Sequence, residues 1–88
     1  MENNLSTNGK YILYVTLNIV NKKIYVGYHY TEFPYGRDYY LGCGVIATRP
    51  STYNNPQTPF QFAVKKYGPK NFIRSTILVV DTLEEALF

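Results

Sequence analysis

The chain has 88 residues, enough for one small domain with a thin core. Apolar residues make up 45%, and no run reaches the about 18 apolar residues of a membrane-spanning helix, which excludes a disordered chain and a helical membrane protein. Nine Lys and Arg against six Asp and Glu leave a net charge of +3, a mild surplus that permits a phosphate-bearing partner without requiring one.

The start, "MENNLSTNGK", lacks the basic and apolar regions of a secretion signal and reads as a flexible tail over residues 1–9. Cys43 has no second cysteine to pair with and no metal-ligand spacing around it, which points to a reducing, intracellular (cytoplasmic) setting. Residues 11–18, "YILYVTLN", are β-branched and aromatic throughout and predict a strand. Residues 23–28, "KIYVGY", predict a second. The four residues between them, "IVNK", make the pair an antiparallel hairpin. Asn21 suits a positive φ there and Lys22 suits it less, so a loop longer than a two-residue turn is expected.

Residues 29–57 have no clear period and hold most of the turn formers, including Pro34, Gly36, Gly42, Gly44, Pro50 and Pro56. They read as a long loop with one helical turn near Val45–Thr48. Residues 58–67, "TPFQFAVKKY", carry the strongest helix signal. Thr58 and Gln61 fit a capping box, and Pro59 suits the first helical position. Phe60, Ala63, Val64 and Tyr67 form one apolar face. Gly68 and Pro69 end it. Lys65 and Lys66 fall off that face, solvated and complementary to the helix dipole. Residues 72–80, "FIRSTILVV", predict a third strand. Asp81-Thr82 then opens a second helix, with Thr82 and Glu85 as a capping box and Leu83, Ala86 and Leu87 facing inward. The chain ends at Phe88 with that helix unfinished. The expected class is α+β: a small three-stranded antiparallel sheet flanked by helices, in the order β-β-α-β-α.

Most catalytic constellations are missing. The single histidine, His29, and single cysteine, Cys43, make a zinc site or a Cys-His pair improbable on count alone. Gly42-Cys43-Gly44 is too short for a phosphate loop. The ten tyrosines are the unusual feature. In the predicted hairpin Tyr14 and Tyr25 become neighbours on one sheet face, where two phenols can hold a phosphate oxygen or a water. A phenol is a poor base unless cations lower its pKa, and His29, Arg37, Lys65 and Lys66 are available for that. Gly27 lets a bulky group approach the sheet, or marks a bulge.

"ILY" at 12–14 and "YVG" at 25–27 resemble the two motifs that name the GIY-YIG nucleases. "YYLGCG" at 39–44 and "FAVKKYGPKNF" at 62–72 resemble segments of a phage and homing-endonuclease branch of that family. The resemblance covers roughly residues 10–88. It implies a DNA endonuclease that hydrolyses phosphodiester bonds with one divalent metal, Mg²⁺ or Mn²⁺. Tyr25 becomes the general base or water-positioning group, and Tyr14 lines the site. The sequence departs from the family in three places. Its first motif has Ile-Leu-Tyr for Gly-Ile-Tyr. Tyr35 stands where an arginine usually lies, with Arg37 nearby but out of register. The metal-binding glutamate expected on the last helix would fall beyond Phe88. His29, with Tyr40 and Lys65 or Lys66, is then expected to supply the phosphate contacts of the missing arginine, with Gly27 opening the site to substrate. DNA is the expected partner, with target choice in an additional DNA-binding domain of a longer chain. The alternative is a non-catalytic nucleic-acid binder that stacks bases on a tyrosine-rich sheet face.

Overall fold

A computed structural model of the chain describes residues 9–82 and residue 84. The tail (Gly9 excepted) and, beyond Thr82, the expected final helix with Leu83, Glu85, Ala86 and Leu87 lie outside the described residues.

The first strand, β1, spans Lys10–Asn18 and is buried at every second position: Ile12, Tyr14, Thr16 and Asn18. That two-residue period is what one covered face requires. β2 (Ile24–Thr31) pairs antiparallel with β1 in one unbroken register from Lys10↔Thr31 to Leu17↔Ile24. The connecting loop is longer than two residues, and Lys22, not Asn21, takes the positive φ, at 67°. Asn21 instead uses its side chain, whose Oδ1 accepts from the Lys23 backbone N–H at 2.9 Å.

Where a long loop with a helical turn was expected, β2 runs on to Thr31 and a small ribbon forms from β3 (Tyr40–Gly42) and β4 (Val45–Ile46). Cys43 and Gly44 turn the ribbon with φ of 48° and 77°, the doubly left-handed geometry of tight hairpins. The helical content of this stretch is a short 3₁₀ turn at Pro50–Thr52, after β4.

The helix α1 spans Pro59–Tyr67. Its capping box forms as the sequence predicts: Thr58 accepts from the Gln61 N–H, and Gln61 Oε1 accepts from the Thr58 N–H. Gly68 ends it at a φ of 88°. A 3₁₀ turn at Pro69–Asn71 leads into β5, Phe72–Val80.

β5 pairs with the free edge of β1, so the sheet order is β2-β1-β5 and every pairing is antiparallel. The α+β class and the three-stranded sheet agree with the sequence. The described residues contain one α-helix, so helices on both flanks are not seen there. The core lies on one face of the sheet, where Leu41, Val45, Phe60, Val64 and Phe72 pack with Tyr25 and Tyr67 at their margin. The opposite face carries Ile24, Val26, Tyr28 and Ile73, all exposed.

Candidate functional site

The covered face brings four sequence-selected residues onto adjoining strands. Tyr14 pairs with Gly27, Thr16 with Tyr25 and Ile12 with His29. Tyr14 and Tyr25 therefore share a face, as diagonal rather than direct neighbours. Tyr28 pairs with Leu13 and points to the opposite face, so β2 passes straight through Gly27 without a bulge. The irregularity sits elsewhere, on the β5 side of β1 between Leu13 and Tyr14.

Gly27 is explained by Tyr14. A Cβ at position 27 would lie 2.5 Å from the Tyr14 Oη and 2.7 Å from its Cζ. The phenol crosses the strand where a side chain is missing. Gly42 closes in from the ribbon, where a Cβ would lie 3.0 Å from the same oxygen. Tyr14 is thus seated between two glycines and is 4% exposed. Burial pushes its phenol well above the ordinary value, and the charge and hydrogen bond of Tyr40 push the same way against a weaker downward pull from Arg74. Tyr14 stays protonated, a donor and not a base. Tyr40 meets it edge-on at 5.9 Å between ring centres, and the Gly44 N–H donates to the Tyr40 Oη at 3.2 Å.

Tyr25 differs. Its ring packs on Phe60 at 4.5 Å between centres, and its hydroxyl makes no hydrogen bond among the described residues. It is the phenol on this face left open to a ligand.

His29 lies flat on Tyr40, 3.7 Å between ring centres and 7° between planes. Its Nε2 is 2.8 Å from Asp38 Oδ2. Thr31 donates to the same oxygen at 2.5 Å. Arg74 Nη1 and the Tyr40 N–H donate to Oδ1 at 2.9 and 3.2 Å. Four donors thus surround one carboxylate. Burial alone pushes Asp38 up, but the hydrogen bonds from Thr31, His29 and Tyr40 and the charge of Arg74 outweigh it and hold the acid below the usual carboxylate range. For His29, burial lowers the pKa and Arg74 adds to that, against the upward pull of Asp38. The Arg74 side chain is only 3% exposed; it also donates to the backbone oxygens of Tyr40 and Phe33, while its Nε has no partner.

Asp38 and Arg74 are the two site residues that sequence reasoning missed. Asp38 falls in the stretch read as loop. Arg74 carried a usable signal: strand alternation places it on the same face as Phe72, and a charge facing a core needs a partner. Arg37 is exposed, with its guanidinium 5.4 Å from the Phe33 ring centre, and takes no part in this cluster. Lys65 donates to the Asn54 carbonyl at 3.0 Å, and Lys66 lies 5.2 Å from the Tyr67 ring centre. Neither joins Tyr14, Tyr25 or His29. Cys43 is exposed and unpaired. Between β3 and the start of β5 opens a cleft of about 360 Å³, lined by Tyr35, Tyr39, Tyr40, Lys70 and Arg74 among others.

Among the described residues no group of three or more His, Cys, Asp and Glu could hold a metal ion. Asp38 is unsuited as a ligand, because both its oxygens are already taken by donors. No helix among them is long and apolar enough to cross a membrane.

Comparison with known proteins gives one relative. The chain is 36% identical over 76 residues to a protein of Enterobacteria phage T4 named "Putative endonuclease segE". The match covers 86% of this chain, which spans 30% of that relative's length. No family model matches the sequence, and no solved structure matches it.

Proposed function

We propose that this chain is the catalytic domain of a DNA endonuclease of the GIY-YIG type, one that hydrolyses phosphodiester bonds. The observation that carries the reading is the gathering of Tyr14, Tyr25, His29 and Tyr40 on one face, with Gly27 and Gly42 closing on Tyr14. The similarity to a phage protein named as an endonuclease supports it over most of the chain. Tyr25 contributes the free hydroxyl that an attacking water or a phosphate oxygen takes. Tyr14 and Tyr40 pack edge-on on the same face, and the protonated Tyr14 cannot compete as a base. Lys65 and Lys66, exposed at the end of α1, add sequence-independent attraction to the DNA backbone. Target choice falls to a DNA-binding module of a longer protein.

The family resemblance brings a divalent cation, Mg²⁺ or Mn²⁺. The described residues do not supply a carboxylate set that would hold one.

A second reading, a non-catalytic nucleic-acid binder, draws on Tyr28 and Tyr30, each 49% exposed on the opposite face. Tyr25→Phe separates the two. It keeps the ring on Phe60 and removes only the hydroxyl. In a plasmid-nicking assay with Mg²⁺ or Mn²⁺ and an EDTA control, the variant should lose about 100-fold in rate with DNA affinity unchanged. Cleavage by the variant at the wild-type rate removes the role given to Tyr25, and no cleavage with either metal by a chain extended past Phe88 to include the expected glutamate refutes the nuclease reading.

A further inference from the structure

We infer that His29 accepts the proton of the attacking water and that Asp38 is the positioning residue that prepares it to do so. This rests on the nuclease reading above and replaces the expectation that His29 acts as a stand-in for a phosphate-binding arginine.

The argument starts from the carboxylate. Asp38 is ionised and offers only lone pairs. A neutral imidazole 2.8 Å away can meet it only by donating through Nε2–H. The second ring nitrogen, Nδ1, is then left with its lone pair free. No hydrogen bond among the described residues engages Nδ1. The ring cannot swing to hide it. One face is pressed flat on Tyr40, and the carboxylate that grips Nε2 is itself fixed by Thr31, Arg74 and the Tyr40 N–H. The side chain is nevertheless 20% exposed, so the ring is not sealed from solvent.

A phosphate clamp would need the opposite state, an imidazolium donating through Nδ1. Burial and the nearby Arg74 guanidinium work against that state, and the imidazole is held below its ordinary pKa despite Asp38. Arg74 adds to both effects: with the hydrogen bonds from Thr31 and Tyr40 it holds Asp38 charged and in place, and with the larger effect of burial it disfavours the charged form of His29.

The step balances within the named groups. The water oxygen bonds to phosphorus while its proton passes to His29 Nδ1. The phosphorus–oxygen ester bond breaks, its electron pair stays on the leaving alkoxide, and that oxygen takes a proton from solvent. The resulting imidazolium keeps its Nε2–H on the Asp38 carboxylate, which compensates the new charge.

The test uses the full chain and two readouts. His29 is the single histidine, so ¹⁵N-detected imidazole NMR reads one ring without ambiguity. The expected spectrum at pH 7.5 shows Nε2 protonated and Nδ1 bare. In plasmid nicking, His29→Ala should lose about 100-fold in kcat with DNA affinity unchanged, and Asp38→Asn should lose at least about tenfold. The double variant should be no slower than His29→Ala alone. If Asp38→Asn fails to fold, the wild-type tautomer and the His29→Ala rate still decide. An Nδ1–H tautomer or an imidazolium at pH 7.5 overturns the inference, and so does a wild-type rate in His29→Ala. Absence of all cleavage by a wild-type chain extended past Phe88 to include the expected glutamate removes the nuclease reading itself, whereas cleavage indifferent to His29 removes only this inference.

Discussion

An alanine at position 27 puts a methyl group where the Tyr14 phenol already lies. The Cβ would stand 2.5 Å from Oη, 2.7 Å from Cζ and 3.1 Å from Cε2. Ordinary contact begins at about 3.4 Å, so the ring must move by close to 1 Å. It has little room to do so, because Gly42 closes on the same oxygen from the ribbon and Tyr40 meets the ring edge-on. Overpacking of this kind costs about 1–3 kcal/mol. In a domain of this size about 2 kcal/mol lowers Tm by roughly 10 °C. Thermal melts followed by circular dichroism measure it directly. Adding Tyr14→Phe removes the atom nearest the new methyl but leaves Cζ crowded. The double variant should therefore be less destabilised than the sum of the two single changes, by about 1 kcal/mol. A Gly27→Ala protein that melts within about 2 °C of wild type, or two changes that simply add, refutes the claim that Gly27 exists to seat Tyr14.

Thr58→Ala removes the side-chain half of the α1 capping box and should cost about 1 kcal/mol in urea unfolding, with cleavage rates unchanged. Arg74→Met leaves Asp38 half-buried without its cation and should cost about 3 kcal/mol, read from the same unfolding curves. Stability should also depend on pH. Both His29 and Asp38 have folded pKa values below their ordinary 6.5 and 3.8. Their contribution is complete above about pH 6.5, falls as His29 is forced to protonate and falls again below 3.8 as Asp38 does. Urea midpoints measured from pH 8 to pH 4 should decline, and in His29→Gln the decline that sets in below pH 6.5 should flatten.

The parts of the fold legible in the sequence are those decided by local chemistry. β1 and β5 announce themselves by β-branched and aromatic composition, and α1 by Thr58, Pro59, Gln61 and Gly68. The ribbon of β3 and β4 was not legible, because strands of three and two residues carry no periodic signal. It is held by distant partners: the Thr16 hydroxyl donates to the Leu41 carbonyl across 25 positions, and Gln61 Nε2 donates to the Cys43 carbonyl from the helix across 18. At the site, the hairpin register placed Tyr14, Tyr25, Gly27 and His29 on one face, which a two-residue alternation suffices to predict. For Gly27 the sequence offered close approach of a bulky group or a bulge; the structure shows the former, with the Tyr14 ring as the group, which depends on how that ring lies. The Asp38–Arg74 pair joins residues 36 positions apart and appears only once β5 is docked.

The alternation of β1 has a consequence for how the site can be lost. Tyr25, Gly27 and His29 lie on the covered face beside Tyr14 only because β2 holds one register against β1. A slip by a single residue would present Val26, Tyr28 and Tyr30 to the core instead. The covered face would then meet a valine or a tyrosine where Tyr14 now lies over a glycine. No half-slipped sheet keeps part of the site, and Arg74 arrives only with the last strand. Assembly of the site should therefore be all-or-none and late in folding. A chain that has formed the β1–β2 hairpin but not yet added β5 should have its tyrosines in order and His29 without the Arg74-braced carboxylate described here.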